Sequence, residues 1–174
     1  MNSNQIFKIM KRILVGFLIF GLTIQTYAQI TELPEIEIVA VNYKYLDAAG
    51  DEDVAEPVKL LQREAAAFDL KNSEYYQDEY DNYFISFFLP EGKILASYDR
   101  DGKLLRTAEK FKNVALPKAV RDAVADRFPG WTFAKDVYLV NYHESKGASK
   151  TYKLLLENGD KRMRVKTDEK GNFL

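Results

Sequence analysis

The chain predicts an α+β fold of two helix-plus-antiparallel-meander repeats packed as one body. Three observations predict it. Apolar residues recur at helical spacing in two stretches, Val58-Leu61-Ala65-Phe68 and Leu116-Val120-Ala123-Val124-Phe128. Each stretch is followed by short strand-like runs divided by turn sequences: Pro90-Glu91-Gly92, Asp99-Arg100-Asp101-Gly102, Glu157-Asn158-Gly159-Asp160 and Asp168-Glu169-Lys170-Gly171. The two sets also align, with Gly92 against Gly159 and Gly102 against Gly171 at nearly equal offsets. Runs of strands that share one helical face define the α+β class. Neither half is large enough to be strongly stable alone, so the two sheets are expected to join or pack.

Each element has its own reason. Residues 36–46 are rich in Ile, Val and Tyr and read as a strand. Residues 47–53 form a small acidic loop. Asp53 and Glu56 stand three apart, the spacing of an acidic capping box, and Pro57 falls where a missing N–H costs little. A helix is expected over 56–70. Residues 71–82 are polar, acidic and dense in Tyr. Tyr83, Ile85, Phe87 and Leu89 then alternate on one face of a strand. Strands over 94–98 and 103–107 complete the first meander, with Gly102 free to take positive φ between them. A second helix is opened by Pro117 and ended by Pro129-Gly130. Residues 131–142 form a long strand with Phe133, Val137 and Leu139 on one side, and 143–149 a loop. Strands over 151–156 and 161–166 follow, and 172–174 make a short end.

The N-terminus is set apart from this pattern. Lys8, Lys11 and Arg12 precede an apolar run of about a dozen residues, and Thr26-Tyr27-Ala28 ends it with small residues suited to cleavage. That run falls short of the ~20 residues needed to span a bilayer. Residues 1–28 are therefore read as a signal peptide, which places the protein in the periplasm or outside the cell. Loss of its three basic residues takes the formal net charge from −1 to −4. The remaining chain divides into an N-terminal strand and acidic loop (29–53), a first repeat (54–110) and a second repeat (111–174).

The second repeat resembles a known family. Leu116-Pro117-Lys118-Ala119-Val120 and Phe128-Pro129-Gly130-Trp131 look like the helix and exit of PepSY-like domains. The 152–156 strand and the turns at Asn158-Gly159 and Asp168-Gly171 complete that pattern. The doubled arrangement is similar to the β-lactamase-inhibitor-protein-like architecture. The resemblance implies a non-catalytic module that binds or inhibits other proteins, often extracytoplasmic hydrolases. It covers residues 116–174 well and 58–105 more weakly.

The inventory of reactive groups is thin. There is no Cys, which removes disulfides, thiolate metal sites and Cys nucleophiles, and His143 is the only imidazole. No Gly-x-Ser-x-Gly elbow and no Gly-rich phosphate loop is present. Asp99 and Asp101 read as turn chemistry, with side chains bonding local N–H groups. They lack the later ligands of a calcium loop. Asp47, Asp51, Glu52 and Asp53 read as a solvated loop with a helix cap. His143 reads as a loop-edge residue and Trp131 as a core anchor. Near-neutral charge argues against a nucleic-acid partner.

Two surfaces remain as partner candidates. The first is Tyr75, Tyr76, Tyr80 and Tyr83, interleaved with Glu74, Asp78, Glu79 and Asp81. Tyr supplies rigid, amphipathic contact area. The second is Arg162, Arg164 and Lys166, which share one face of a strand opposite Met163 and Val165. The expectation is a secreted or periplasmic protein-binding module that is not an enzyme and uses no cofactor or metal. Its partner is an extracytoplasmic protein, neither nucleic acid nor membrane. A small-ligand or ion-binding envelope protein is the alternative, with an enzyme of unrecognised type as a third and less favoured reading.

Overall fold

The computed structural model describes residues 42–174. The expected signal peptide (1–28) and the 36–41 portion of the expected N-terminal strand lie outside the described residues. Within them the protein is α+β, with three helices and a six-stranded antiparallel sheet.

The first helix, α1 (Tyr43–Ala49), corrects the strand expected to run on to Leu46. Tyr45 and Ala49 stand four apart and are both buried, so helical geometry sends the two to the core together. Asn42 anchors its start. The side-chain amide donates to the Ala66 and Gly102 carbonyls at 3.1 and 3.3 Å, and Oδ1 accepts from the Leu104 N–H at 2.7 Å.

Helix α2 (Glu56–Ala67) buries Val58, Leu61, Gln62, Ala65 and Ala66. Pro57 lies in its first turn, as the sequence predicts, but the Asp53–Glu56 capping box does not form. Ala55 occupies the cap, and its carbonyl accepts the Val58 and Lys59 N–H groups. Asp51, not Glu56, takes the Asp53 N–H, at 3.0 Å. The acidic loop therefore satisfies its own backbone and leaves the helix start to backbone bonds.

The strands are β1 (Asn82–Leu89), β2 (Gly92–Asp99), β3 (Leu104–Lys112), β4 (Thr132–His143), β5 (Gly147–Asn158) and β6 (Lys161–Thr167). Their order in the sheet is their order in the chain. The expected two sheets are thus one, joined where β3 pairs with β4 from Arg106–His143 to Lys112–Val137. Between those strands runs α3 (Lys118–Arg127), with Val120 and Val124 buried. Strand β3 continues five residues past the expected end at Thr107, because Glu109 and Phe111 keep the inward alternation going. Likewise β5 begins at Gly147, so the expected 143–149 loop is a tight hairpin with Gly147 at φ 76°.

All three helices cover one face of the sheet, and that face holds the core. Inward residues are Tyr83 on β1, Ile94, Ala96 and Tyr98 on β2, Phe111 on β3, Tyr138, Val140 and Tyr142 on β4, and Tyr152, Leu154 and Leu156 on β5. The inward side of β4 is not the expected Phe133-Val137-Leu139 set. A register shift between Phe133 and Lys135 breaks the alternation, and Val137 and Leu139 fall on the opposite face. Trp131 packs against the core while half-buried. Five tyrosines fill the centre. Tyr138 and Tyr152 stack at 4.3 Å between ring centroids, Tyr45 meets Tyr142 edge-on at 5.2 Å, and the Tyr98 hydroxyl donates to the Ala65 carbonyl at 2.6 Å.

One carboxylate is buried among them. Glu109 is 3 % exposed. Its Oε1 accepts from the Tyr45 hydroxyl (2.8 Å) and the Thr107 hydroxyl (2.7 Å), and Oε2 from the Gln62 amide (2.8 Å). Burial pushes its pKa above the usual carboxylate range, and those hydrogen bonds, with the nearby Lys150 charge, oppose the rise. The same burial and the facing carboxylate hold the Tyr45 phenol well above its ordinary value. Lys150, on β5, donates to the Gly50 carbonyl at 2.9 Å and so closes the C-terminal end of α1.

Two turns match closely. Asp99 Oδ1 accepts from the N–H groups of Asp101 (2.9 Å) and Lys103 (3.0 Å), and Gly102 takes φ 80°. Asp168 Oδ1 accepts from Lys170 (2.9 Å) and Asn172 (2.8 Å), and Gly171 takes φ 85°. A side chain at Gly171 would also meet the Ala119 carbonyl oxygen of α3 at 2.6 Å, so glycine is required twice over. After the first turn a full strand follows. After the second, Phe173 makes only a single bridge to Thr167.

Candidate functional site

The face of the sheet away from the helices is uncovered among the described residues, and the register tells which residues stand on it. Phe84, Ser97, Arg106 and His143 lie in one row across β1–β4, and Ser86, Leu95, Ala108 and Asn141 in the next. Phe88, Lys93, Lys110 and Leu139 form a third row. On β4–β6, Val137, Lys153 and Lys166 make a row, and Lys135, Leu155 and Arg164 another. Rows are spaced by about 7 Å along a strand and about 4.8 Å between strands.

This face is basic. It carries Lys93 on β2, Arg106, Lys110 and Lys112 on β3, Lys135 on β4, Lys153 on β5, and Arg162, Arg164 and Lys166 on β6. Against these stand two strand carboxylates, Glu157 opposite Arg162 and Asp99 at the end of β2, with Glu91 in the β1–β2 turn. Among the described residues none of these cations has a carboxylate within ion-pair distance, whereas Lys71, Lys103 and Lys118 pair with Asp101, Glu144 and Asp122 elsewhere. The densest runs of acidic residues lie elsewhere. Asp47, Asp51, Glu52, Asp53, Glu56 and Glu64 belong to the α1–α2 region, and Glu74, Asp78, Glu79 and Asp81 to the segment leading into β1. A chain of near-neutral sum is therefore uneven in its charge, and unscreened like charges on one surface raise the local potential toward anions.

Apolar surface lies among the cations. Phe84 is 70 % exposed, Phe88 66 % and Leu95 45 %. Exposed Phe side chains in contiguous groups mark interaction surfaces more often than chance burial failures. Two hollows indent the face. One of about 500 Å³ has Phe84, Leu95 and Ala108 in its lining, with Arg106, His143 and Lys146 around it. Another of about 400 Å³ sets Val137 and Leu155 among Lys135, Lys153, Arg164 and Lys166. His143 is half-buried at the rim of the first, with Nδ1 accepting the Ser145 N–H at 3.1 Å.

The expected partner residues do not come together. Arg162, Arg164 and Lys166 stand exposed on the open face of β6. The tyrosine segment lies against β1, the other edge of the sheet, five strand spacings or about 24 Å away. Tyr83 is a correction: it is 6 % exposed, faces the helices, and its hydroxyl donates to the Gln77 carbonyl. A ring held in this way cannot meet a partner. Tyr76 is half-buried and stacks on Tyr83 at 5.7 Å, and Tyr80 packs edge-on against it at 6.3 Å. Only Tyr75 (55 %) and Tyr80 (51 %) offer much free surface.

Sequence reasoning missed Lys93, Arg106, Lys110, Lys112, Lys135 and Lys153, together with Phe84, Phe88 and Leu95. The signal for β3 was present. In Leu104 to Lys112, Arg106, Ala108, Lys110 and Lys112 alternate with Thr107, Glu109 and Phe111. Glu109 at an inward position disguised the strand, and only the register aligns its cations with those of β6.

No helix among the described residues is long and apolar enough to cross a membrane, and none of their His, Asp and Glu side chains group in threes suited to a metal ion. No family model, curated protein or solved structure matches the chain. The fold and the site define an α+β protein with a helix-covered face and an open, basic, partly apolar one.

Proposed function

We propose that this is an exported, non-catalytic protein-binding module whose open sheet face takes an acidic partner, such as an extracytoplasmic hydrolase that it inhibits or regulates. The observation that carries the reading is the row of unpaired cations set around exposed Phe84, Phe88 and Leu95. Interfaces combine apolar anchors in pockets with complementary charge, and the two hollows would receive protruding side chains. The N-terminal leader supports a periplasmic or secreted location. The chain's lack of Cys and its single, structurally bonded His support a role without bond-making chemistry.

The finer architecture belongs to the same proposal. We read the chain as two PepSY-like repeats in a β-lactamase-inhibitor-protein-like tandem. Support comes from the matched Asp99–Gly102 and Asp168–Gly171 turns and from the order helix–strands–helix–strands. In this alignment β5 and β6 correspond to β1 and β2, and Phe173 stands for a shortened β3. Strand β4 has no counterpart in the first half, where the tyrosine segment occupies the equivalent stretch of chain.

The test is capture from an envelope fraction under mild crosslinking, with wild type beside an Arg106→Glu/Arg164→Glu variant. A stoichiometric acidic protein retained by wild type, and reduced at least several-fold by the reversal, is expected. Equal capture by both, with the variant's melting temperature unchanged, overturns the role of the face. A second reading follows from the 500 Å³ hollow: its apolar lining beside Arg106 and Lys146 suits a small amphipathic anion. Thermal shift with a panel of such anions separates the two, since a ligand that binds the native state raises its melting temperature.

A further inference from the structure

The two edges of the sheet are built differently. Strand β6 carries Lys161, Arg162, Arg164 and Lys166 among its residues. Its outer side is partly closed, because the Leu174 N–H donates to the Lys166 carbonyl at 3.0 Å and Phe173 bridges Thr167. Charge and cover of this kind stop an edge from pairing with another chain. Strand β1, Asn-Tyr-Phe-Ile-Ser-Phe-Phe-Leu, has neither. It contains no Asp, Glu, Lys or Arg, and among the described residues only β2 pairs with it. Eight residues of uncharged edge leave a row of outward N–H and C=O groups that forms a template for pairing with another extended strand.

We infer that a second copy of this chain fills that edge, with β1 pairing antiparallel to β1 about a twofold axis through Ser86. Three features commit the edge to its own copy. The strand is self-complementary in this register. Phe84 of one copy stands opposite Phe88 of the other on the open face, and Ile85 opposite Phe87 on the helix face. The rings that are 70 % and 66 % exposed in the single chain thereby gain cross-strand aromatic partners. No charged side chain meets a like one within the paired strands, which self-pairing of β6 could not avoid. The strand ends are also complementary. Glu74, Asp78, Glu79 and Asp81 precede β1, while Lys93, Lys110 and Lys112 stand about the turn that follows it and outnumber its one carboxylate, Glu91. Antiparallel pairing brings the acidic end of each copy to the basic end of the other.

The product is a closed, isologous dimer with a continuous sheet of twice the strands. Both open faces lie on the same side of that sheet, so the inference extends the proposed binding surface without depending on it.

The absence of cysteine makes the test clean. A residue on the twofold faces itself, so Ser86→Cys in the purified full chain should crosslink into a covalent dimer on mild oxidation. The rate expected is about tenfold or more above that of Arg164→Cys, because Cα atoms paired across an interface fall within disulfide reach. Phe84→Cys and Phe88→Cys should crosslink slowly alone and readily when mixed. Ser86→Lys, which sets two ammonium groups face to face at an exposed site, should sediment as a monomer at concentrations where wild type is a dimer. Wild type that stays monomeric up to millimolar concentration, with Ser86→Cys no faster than Arg164→Cys, overturns the proposal and leaves the edge to a strand from another protein. A covalent dimer seen equally at every cysteine position also overturns it, since that pattern reports nonspecific contact.

Discussion

At the scale of single residues, Glu109 is the least expected group in the core. A carboxylate taken out of water costs several kcal/mol unless hydrogen bonds replace the lost solvation. Here the Tyr45, Thr107 and Gln62 donors supply three, one each from α1, β3 and α2, so this one side chain ties the helical layer to the sheet. Lys150 on β5 is the charged group facing the same cluster. Because burial raises the folded-state pKa above the unfolded one, the carboxyl favours folding most when it is protonated. That contribution is present below the ordinary carboxylate range and is lost as pH rises through the folded value. Glu109→Gln has no such titration. Its stability relative to wild type, read from denaturant unfolding, should therefore improve as pH is raised from the acid side to neutrality. A difference independent of pH would show that the carboxylate does not titrate in the fold. Truncation to Ala should be worse than Gln at every pH, since it strands three buried donors at about 1–3 kcal/mol each.

At the scale of elements, the tyrosine segment and β1 illustrate how one run of sequence serves two ends. Tyr83 belongs to the strand and to the core; Tyr75 and Tyr80 belong to the surface. Tyr83→Ala should lower stability by about 3 kcal/mol or more, as large aromatic truncations in cores do. Tyr75→Ala with Tyr80→Ala should leave the melting temperature within a degree or two, apart from the lost Tyr80 contact to Tyr83. Thermal unfolding of the variants side by side checks both. Elements with strong periodicity and a marked turn were legible before the structure: α2, α3, the β1–β2 hairpin and the alternation of β6. Those that failed share a cause. Helix α1 is only seven residues and is rich in Tyr, so its apolar pattern could be read as a strand. The far half of β3 was hidden by the inward Glu109; β4 was legible as a strand, but the register shift at Phe133 hid which of its sides faces the core. In each case tertiary partners, Glu109 with Gln62 for example, outweighed local preference.

At the scale of the whole molecule, charge is the property the composition conceals. Nearly equal totals of the two signs describe a protein whose open sheet face holds an excess of cations, with an excess of carboxylates about the first two helices and the segment before β1. Only Arg162, Arg164 and Lys166 were legible in advance, because they sit on one short strand; the rest become neighbours only through pairing across five ladders. Association with an acidic partner should slow several-fold between about 0.05 and 0.3 M salt, as screening shortens the reach of the basic face. Stopped-flow association rates at a series of salt concentrations check this, and a flat profile counts against electrostatic docking. The strand order has one more consequence. Every ladder joins strands that are adjacent along the polypeptide, with no crossover left waiting for a distant segment. Such a topology has low contact order and folds quickly for its strand content. It also lets a chain that arrives N-terminus first lay down its sheet one hairpin at a time, each new strand zipping onto the last, so that β6 and the residues that seal its rim are the final pieces set in place.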